Sequence, residues 1–170
     1  MKLGAIYDYL DALSPFATQA AWDNSGLLIG SKDDEIEQIY LSLDVDSKLL
    51  EEVLPNSLVI THHPLIFSGL KQLNFAKYPS NLIQIMVQKK ISLIAMHTNF
   101  DLSHLNAYVA SKLGFEIQES REFVAYCEVN KSFDDLIVQV KEVFGIEHIR
   151  VVKAKEWINR CAITTGSGGD

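Results

Sequence analysis

Residues 57–67, SLVITHHPLIF, end an apolar run with two adjacent imidazoles, His62 and His63, and then Pro64. A second apolar run, ISLIAMH, ends in His97 and leads into Thr98, Asn99 and Asp101. Imidazole and carboxylate together are the ligand set for Zn²⁺, Mn²⁺, Fe²⁺ or Co²⁺. A carboxylate can serve two ions at once, one oxygen each, whereas an imidazole serves one. The doublet therefore offers one imidazole per metal, with Asp101 between the two ions and His97 as a proton shuttle or a support for the ligands. Plainer roles compete with this. A single histidine after a strand is more often a hydrogen-bonded loop or core residue, and an aspartate at this place often caps a helix, here one starting near Ser103. A doublet matched by a second strand end bearing His and Asp is what favours a converging site.

The elements that must position these groups follow from periodicity. Neighbouring residues on a regular strand point to opposite faces, so the doublet can address one cleft only where the strand ends and Pro64 fixes a turn. Leu3, Ile6, Tyr7, Leu10 and Leu13 recur at helical spacing. WDNSGLLIG reads as a turn before a short strand, and QIYLSLDV as a strand followed by a helix that stops at Pro55. SLVITH and ISLIAMH read as buried strands on either side of a helix SNLIQIMVQKK, capped by Ser80 or Asn81. The helix SHLNAYVASKLG ends at Gly114. Alternating strands and helices with short connections predict a layered α/β/α fold on a mixed, largely parallel sheet, where ligands bind beyond the carboxyl ends of the strands.

Beyond residue 121 the pattern restarts with FVAYCEVN, then the helix SFDDLIVQVKEVFG between Ser132 and Gly145, then HIRVVKA, which reads as a second β-α-β lobe. The expected organisation is a metal-binding module over 1–121 and a lobe over 122–170 that ends in a glycine-rich turn. Glycine turns after strands usually lead into further structure, so an element past Asp170 is expected to be missing.

Composition excludes several functions. With a formal net charge of −7 and no basic cluster, the chain lacks the footprint of a nucleic-acid binder. No window holds the 18 or so apolar residues needed to span a bilayer, and the N-terminus reads as an amphipathic helix, not a signal peptide; the cytoplasm is the default location. Cys127 and Cys161 lack C-x-x-C spacing and read as two reduced, largely buried thiols. TGSGG has neither the lysine of a phosphate loop nor the spacing of a dinucleotide fingerprint, and no G-x-S-x-G elbow occurs. Trp22 and Tyr126 could stack on a ligand, although aromatic side chains are more often core.

In order and spacing, WDNSGLLIG, ITHHPLIF and HTNFD resemble the N-terminal signatures of the GTP cyclohydrolase 1 type 2 homologue family, also called the NGG-interacting-factor-three-like family. The match runs over about residues 1–115, and the terminal GSGGD resembles a later glycine turn of that family. The resemblance implies a two-metal site, with His62, His63 and Asp101 as ligands and His97 lining the pocket, in a protein that assembles into ring-like homo-hexamers. A late histidine and glutamate that complete the family's metal shell fall beyond the glycine turn, outside these 170 residues. Three protein ligands do not saturate two ions, so weak, incomplete or no metal binding is expected of this chain alone. LSHLN after Asp101 replaces a commonly glycine-containing segment. The implied activity is hydrolysis of a small molecule, a nucleotide such as GTP, whose imidazole ring would be opened. A non-catalytic metal carrier or an interaction scaffold is the rival reading.

Overall fold

The computed structural model describes residues 1–166. The chain divides into two compact units, Met1–Phe100 and Asp101–Asp170. The first contains helix α1 (Leu3–Leu13), strands β1 (Gly26–Ile29) and β2 (Gln38–Ser42), helix α2 (Ser47–Glu52), strand β3 (Ser57–Thr61), helix α3 (Ser80–Lys89), strand β4 (Ser92–Ala95) and a short helical turn α4 (Thr98–Phe100). Its four strands lie in the order β1-β4-β3-β2. β2 and β4 run parallel to β3, while β1 runs antiparallel to β4.

Both faces of the central strands β3 and β4 are covered, as their unbroken apolar runs require. Val59 and Leu93 pack with Leu50, Leu82, Ile83 and Met86 on the side of α2 and α3. Their neighbours Leu58 and Ile94 point the other way and pack with Leu3, Ile6 and Phe16 on the side of α1. Leu58, Val59, Leu93 and Ile94 are all fully buried, and each such side chain contributes roughly 1.5–3 kcal/mol through removal of apolar surface from water. The layered α/β/α architecture is thus the observed one. One local expectation fails: Pro79 stands at the N-cap of α3, with no side-chain cap hydrogen bond; Ser80 and Asn81 already lie inside the first turn, past the position from which a side chain caps.

The second unit opens on a π-helical turn, Asp101–Leu105, followed by α5 (Asn106–Lys112), β5 (Ile117–Arg121), β6 (Val124–Ser132), α6 (Phe133–Phe144) and β7 (Trp157–Ile163). Its sheet, β5-β6-β7, is antiparallel throughout. Ser132 caps α6 by accepting a hydrogen bond from the Asp135 amide at 3.1 Å, and Gly145 ends it in the left-handed region at φ 62°, which a glycine adopts without a Cβ clash. The strand expected over HIRVVKA does not form. Residues 148–154 have no regular structure, Val152 is 91% exposed, and the edge of β6 is taken instead by β7. Cys127 and Cys161 are free thiols directly opposite one another on β6 and β7. The glycine-rich turn over 165–169 lies in part outside the described residues. Among the described residues no helix is long and apolar enough to cross a membrane.

Candidate metal centre

The register of the first sheet places the site. Thr61, the last residue of β3, pairs with Ala95, the last residue of β4, so the residues just past each strand emerge side by side. Past Thr61 the hydrogen bonding to the neighbouring chain continues briefly, with the His62 amide donating to the Ser42 carbonyl (3.3 Å) and the His63 amide to that of Leu43 (2.9 Å). The Thr61 hydroxyl then donates to the His63 carbonyl at 2.9 Å, which closes the turn before Pro64. On the neighbouring strand the Met96 amide donates to the Thr61 carbonyl at 2.8 Å, and His97 follows.

His62, His63 and His97 consequently converge, each offering a ring nitrogen within 4.8 Å of the others. Ring centroids are 5.0 Å apart for His62–His63, 5.2 Å for His62–His97 and 5.8 Å for His63–His97. Each Nδ1 faces an acceptor at 2.8 Å: the Met96 carbonyl for His62, Asp44 Oδ1 for His63, and Asp23 Oδ1 for His97. A carbonyl cannot donate and an ionised carboxylate only accepts, so Nδ1 carries a proton in all three rings, and in a neutral imidazole of this tautomer the lone pair lies on Nε2. Ligating histidines are generally held this way, since the acceptor fixes the tautomer, orients the ring and raises its basicity. The donor set therefore fits a divalent ion. Two nitrogens on one tetrahedral Zn²⁺ lie about 3.4 Å apart, so one ion needs the rings to close in from their spread of up to 4.8 Å, or two ions share the three rings.

Asp23 is the most constrained group at this rim. Its side chain is fully buried, and its Oδ2 accepts from the Thr98 amide (3.1 Å), the Thr98 hydroxyl (2.5 Å) and the Ser25 hydroxyl (2.9 Å), while Oδ1 accepts from the Asn24 amide (2.7 Å) and His97. Burial pushes the carboxyl pKa up, but the hydrogen bonds from His97, Thr98 and Asn24 outweigh it and hold the group at about 2. The carboxylate is ionised at neutral pH and acts as a fixed negative partner for His97. Asp23 reaches this rim because β1 is antiparallel: Gly26 pairs with Ala95, so the segment leading into β1 meets the segment leaving β4. Gly26 enters the strand at φ 114°, a conformation open to glycine.

His62, His63 and His97 are thus brought together, with His97 as close to the doublet as a ligand would be. Asp101 belongs to the second unit, where it is buried and its Oδ1 accepts from the Thr165 hydroxyl at 3.2 Å. Sequence reasoning missed Asp23 and Asp44. Asp23 stood in view inside WDNSG, a polar cluster read only as a turn; nothing in the sequence marked Asp44. A separate cleft of about 570 Å³ lies at the opposite end of the same sheet, lined among others by Gly30, Asp34, Glu37, Asn56, Lys90 and Ser92. It gathers acids around a lysine and holds no histidine.

Comparison with known proteins places the chain. It is 52% identical over 172 aligned residues to a GTP cyclohydrolase 1 type 2 homolog of Campylobacter jejuni, covering all of this chain and 71% of that protein. It is 41% identical over 161 residues to GTP cyclohydrolase 1 type 2 of Helicobacter pylori, covering 94% of this chain and 66% of that protein. The crystal structure of Staphylococcus aureus hypothetical protein SA1388 superposes with a TM-score of 0.83 at 28% identity, over 99% of this chain and 73% of that one. With the family model Duf34/NIF3 (NGG1p interacting factor 3) matching residues 1–170, the chain belongs to that family.

Proposed function

We propose that His62, His63 and His97 hold one or two divalent ions (Zn²⁺, Mn²⁺, Fe²⁺ or Co²⁺) and that the protein is a metal-dependent hydrolase of a nucleotide such as GTP. The observation that carries the metal reading is the common state of the three rings, each with Nδ1 on an acceptor and a nitrogen turned into one group. The names of the relatives from Campylobacter jejuni and Helicobacter pylori support the nucleotide reading. A divalent ion supplies Lewis acidity and an acidified water at neutral pH. The chain's own residues orient the donors: the Met96 carbonyl, Asp44 and Asp23 hold the rings, and the ionised Asp23 makes His97 a stronger donor. Asp101 enters this reading as a further carboxylate ligand on the strength of the HTNFD motif alone. His97 has two roles open to it, ligand and proton shuttle. Its place among the three rings favours the ligand role, and its pairing with a buried carboxylate would serve either. A homo-oligomer belongs to the same reading, supported by Ile39, Leu41 and Leu43, which stand exposed at alternate positions on and just after β2.

The test is metal titration and turnover of the purified chain. Mn²⁺, Zn²⁺ and Co²⁺ are each titrated calorimetrically into wild-type protein and into His62→Ala and His63→Ala, and GTP and simple phosphoesters are assayed with each ion. Saturable binding that falls at least about tenfold in each variant, with GTP turnover dependent on the ion, is the expected result. Tight binding without turnover under any ion would replace the hydrolase with a metal carrier.

A further inference from the structure

We propose that Trp22 and Phe67 form a platform on which a planar heteroaromatic ring, of the nucleobase kind, lies beside the three imidazoles. The inference rests on the reading of the histidines as a metal site and names the ligand class that site would take.

Both aromatic side chains lie outside the core, with Trp22 59% and Phe67 51% exposed. Scattered exposed aromatics are ordinary on protein surfaces, but these two form a built arrangement. Their rings are 5.9 Å apart and tilted by 41°. Each also meets the His97 ring edge-on at 73°, Trp22 at 6.2 Å and Phe67 at 6.4 Å. The pair is therefore continuous with the donors. Polar ties hold the two loops in place: the Asn24 amide side chain donates to the Ile66 carbonyl at 2.6 Å, the Ala20 amide to the Thr98 hydroxyl at 2.9 Å, and the Asp23 amide to the Ala20 carbonyl at 2.9 Å. Two large apolar side chains held toward solvent beside the imidazole nitrogens present a flat face that a planar ring can cover.

The dimensions limit what that is. A ring slotted between Trp22 and Phe67 would need two van der Waals gaps of about 3.5 Å each, or about 7 Å, more than the 5.9 Å present. The guest therefore lies across the open face of the pair and not between its members. Two half-exposed rings bordered by the His97 imidazole are also far smaller than the roughly 800 Å² per side of a stable protein interface. A small molecule with a flat π face and a polar group reaching the histidines satisfies both halves of the surface. Stacking of one base on one aromatic side chain changes affinity by roughly five- to 150-fold.

The test compares two probes that differ by the ring, GTP and inorganic triphosphate, titrated calorimetrically into wild-type protein, Trp22→Ala, Phe67→Ala and Trp22→Phe, with and without Mn²⁺. The expected result is at least about a tenfold loss of GTP affinity in each alanine variant, no change for triphosphate, near wild-type behaviour of Trp22→Phe, and unchanged Mn²⁺ stoichiometry. Equal binding of the two probes by wild-type protein overturns the proposal, as do equal losses for both probes or no loss at all. Loss of Mn²⁺ binding in the alanine variants would make the pair a support of the histidines, and a change of oligomer mass would make it a subunit contact; either overturns the platform. Absence of Mn²⁺ binding in the wild type would remove the metal reading, while the ion-free comparison of probes would still decide the platform.

Discussion

The two sheets of this chain follow different rules. In β1-β4-β3-β2 the central strands are buried on both faces, with Leu58, Val59, Leu93 and Ile94 inaccessible to water. In β5-β6-β7 only Ala125 and Cys127 are buried, and α6, which follows β6, buries no residue at all. A strand clamped from both sides has a fixed register, because slipping by one residue would exchange its two apolar faces. Its end is fixed as well, and so are the first residues beyond it. The described residues hold one group of three side chains able to hold a metal ion, and it sits past the ends of the two most deeply buried strands. Precision at the histidines is in this sense a property of the leucines and isoleucines upstream.

The strongest way to break this contrast is to weaken each sheet with a comparable truncation. Leu58→Ala is expected to lower stability by about 2–5 kcal/mol, since Leu3, Ile6 and Phe16 packed against it cannot close over the lost methyls, whereas Val138→Ala, at a position 52% exposed on α6, should stay within about 0.5 kcal/mol. Urea midpoints of the two variants decide it, and equal shifts would mean that the second unit carries as much packing as the first. Next in size is Asp23→Asn, which keeps the shape of the side chain but replaces the fixed negative charge facing His97. Metal affinity by calorimetry should fall about 10- to 100-fold with the circular dichroism spectrum unchanged; unaltered affinity would remove Asp23 from the support of the site. The smallest effect sharpens the other side of the comparison. Burial first, and the charge and hydrogen bond of Cys127 after it, push the Cys161 thiol up to about 11 from its ordinary 9.0. The folded chain then holds this proton more tightly than the unfolded one, so the thiol's contribution to stability is complete below pH 9 and fades as pH rises toward 11. Alkylation of Cys161 should accelerate about tenfold per pH unit from 7 to 10 without levelling, as followed by mass spectrometry, while the fully buried Cys127 stays unmodified. A plateau near pH 9 would show that the second sheet shields its thiols less than its register implies.

Much of the first unit was legible because its pattern is strong. The runs SLVITH and ISLIAMH announced buried strands, one crossover helix between them made them neighbours, and two polar strand ends then had to share a rim. The direction of β1 was harder to see: four apolar residues after a turn look alike whichever way they run, so Asp23 was noticed only as a turn former. Asp44 is a single exposed carboxylate with no pattern around it, and its role comes entirely from the register of β2 against β3. In the second unit, HIRVVKA has the composition of a strand yet remains irregular, because strand propensity describes a fit to a half-buried pleat and β7 occupies the place where that fit exists. Trp22 stood in the sequence between a ligand stack and the commoner core role; its neighbours in the turn tie the loop to Thr98 and Ile66, not the ring to the interior.

The reversed direction of β1 also sets which changes in length would reach the imidazoles. Because its leading end shares a rim with the trailing ends of β3 and β4, the connection from β1 to β2, residues 30–37, leaves from the far side of the sheet. Insertions there would lengthen a loop remote from the imidazoles. A single residue added between Trp22 and Gly26 would instead carry Asp23 away from His97 or the indole away from Phe67, so of the two ends of β1 it is the leading one whose spacing the imidazoles feel.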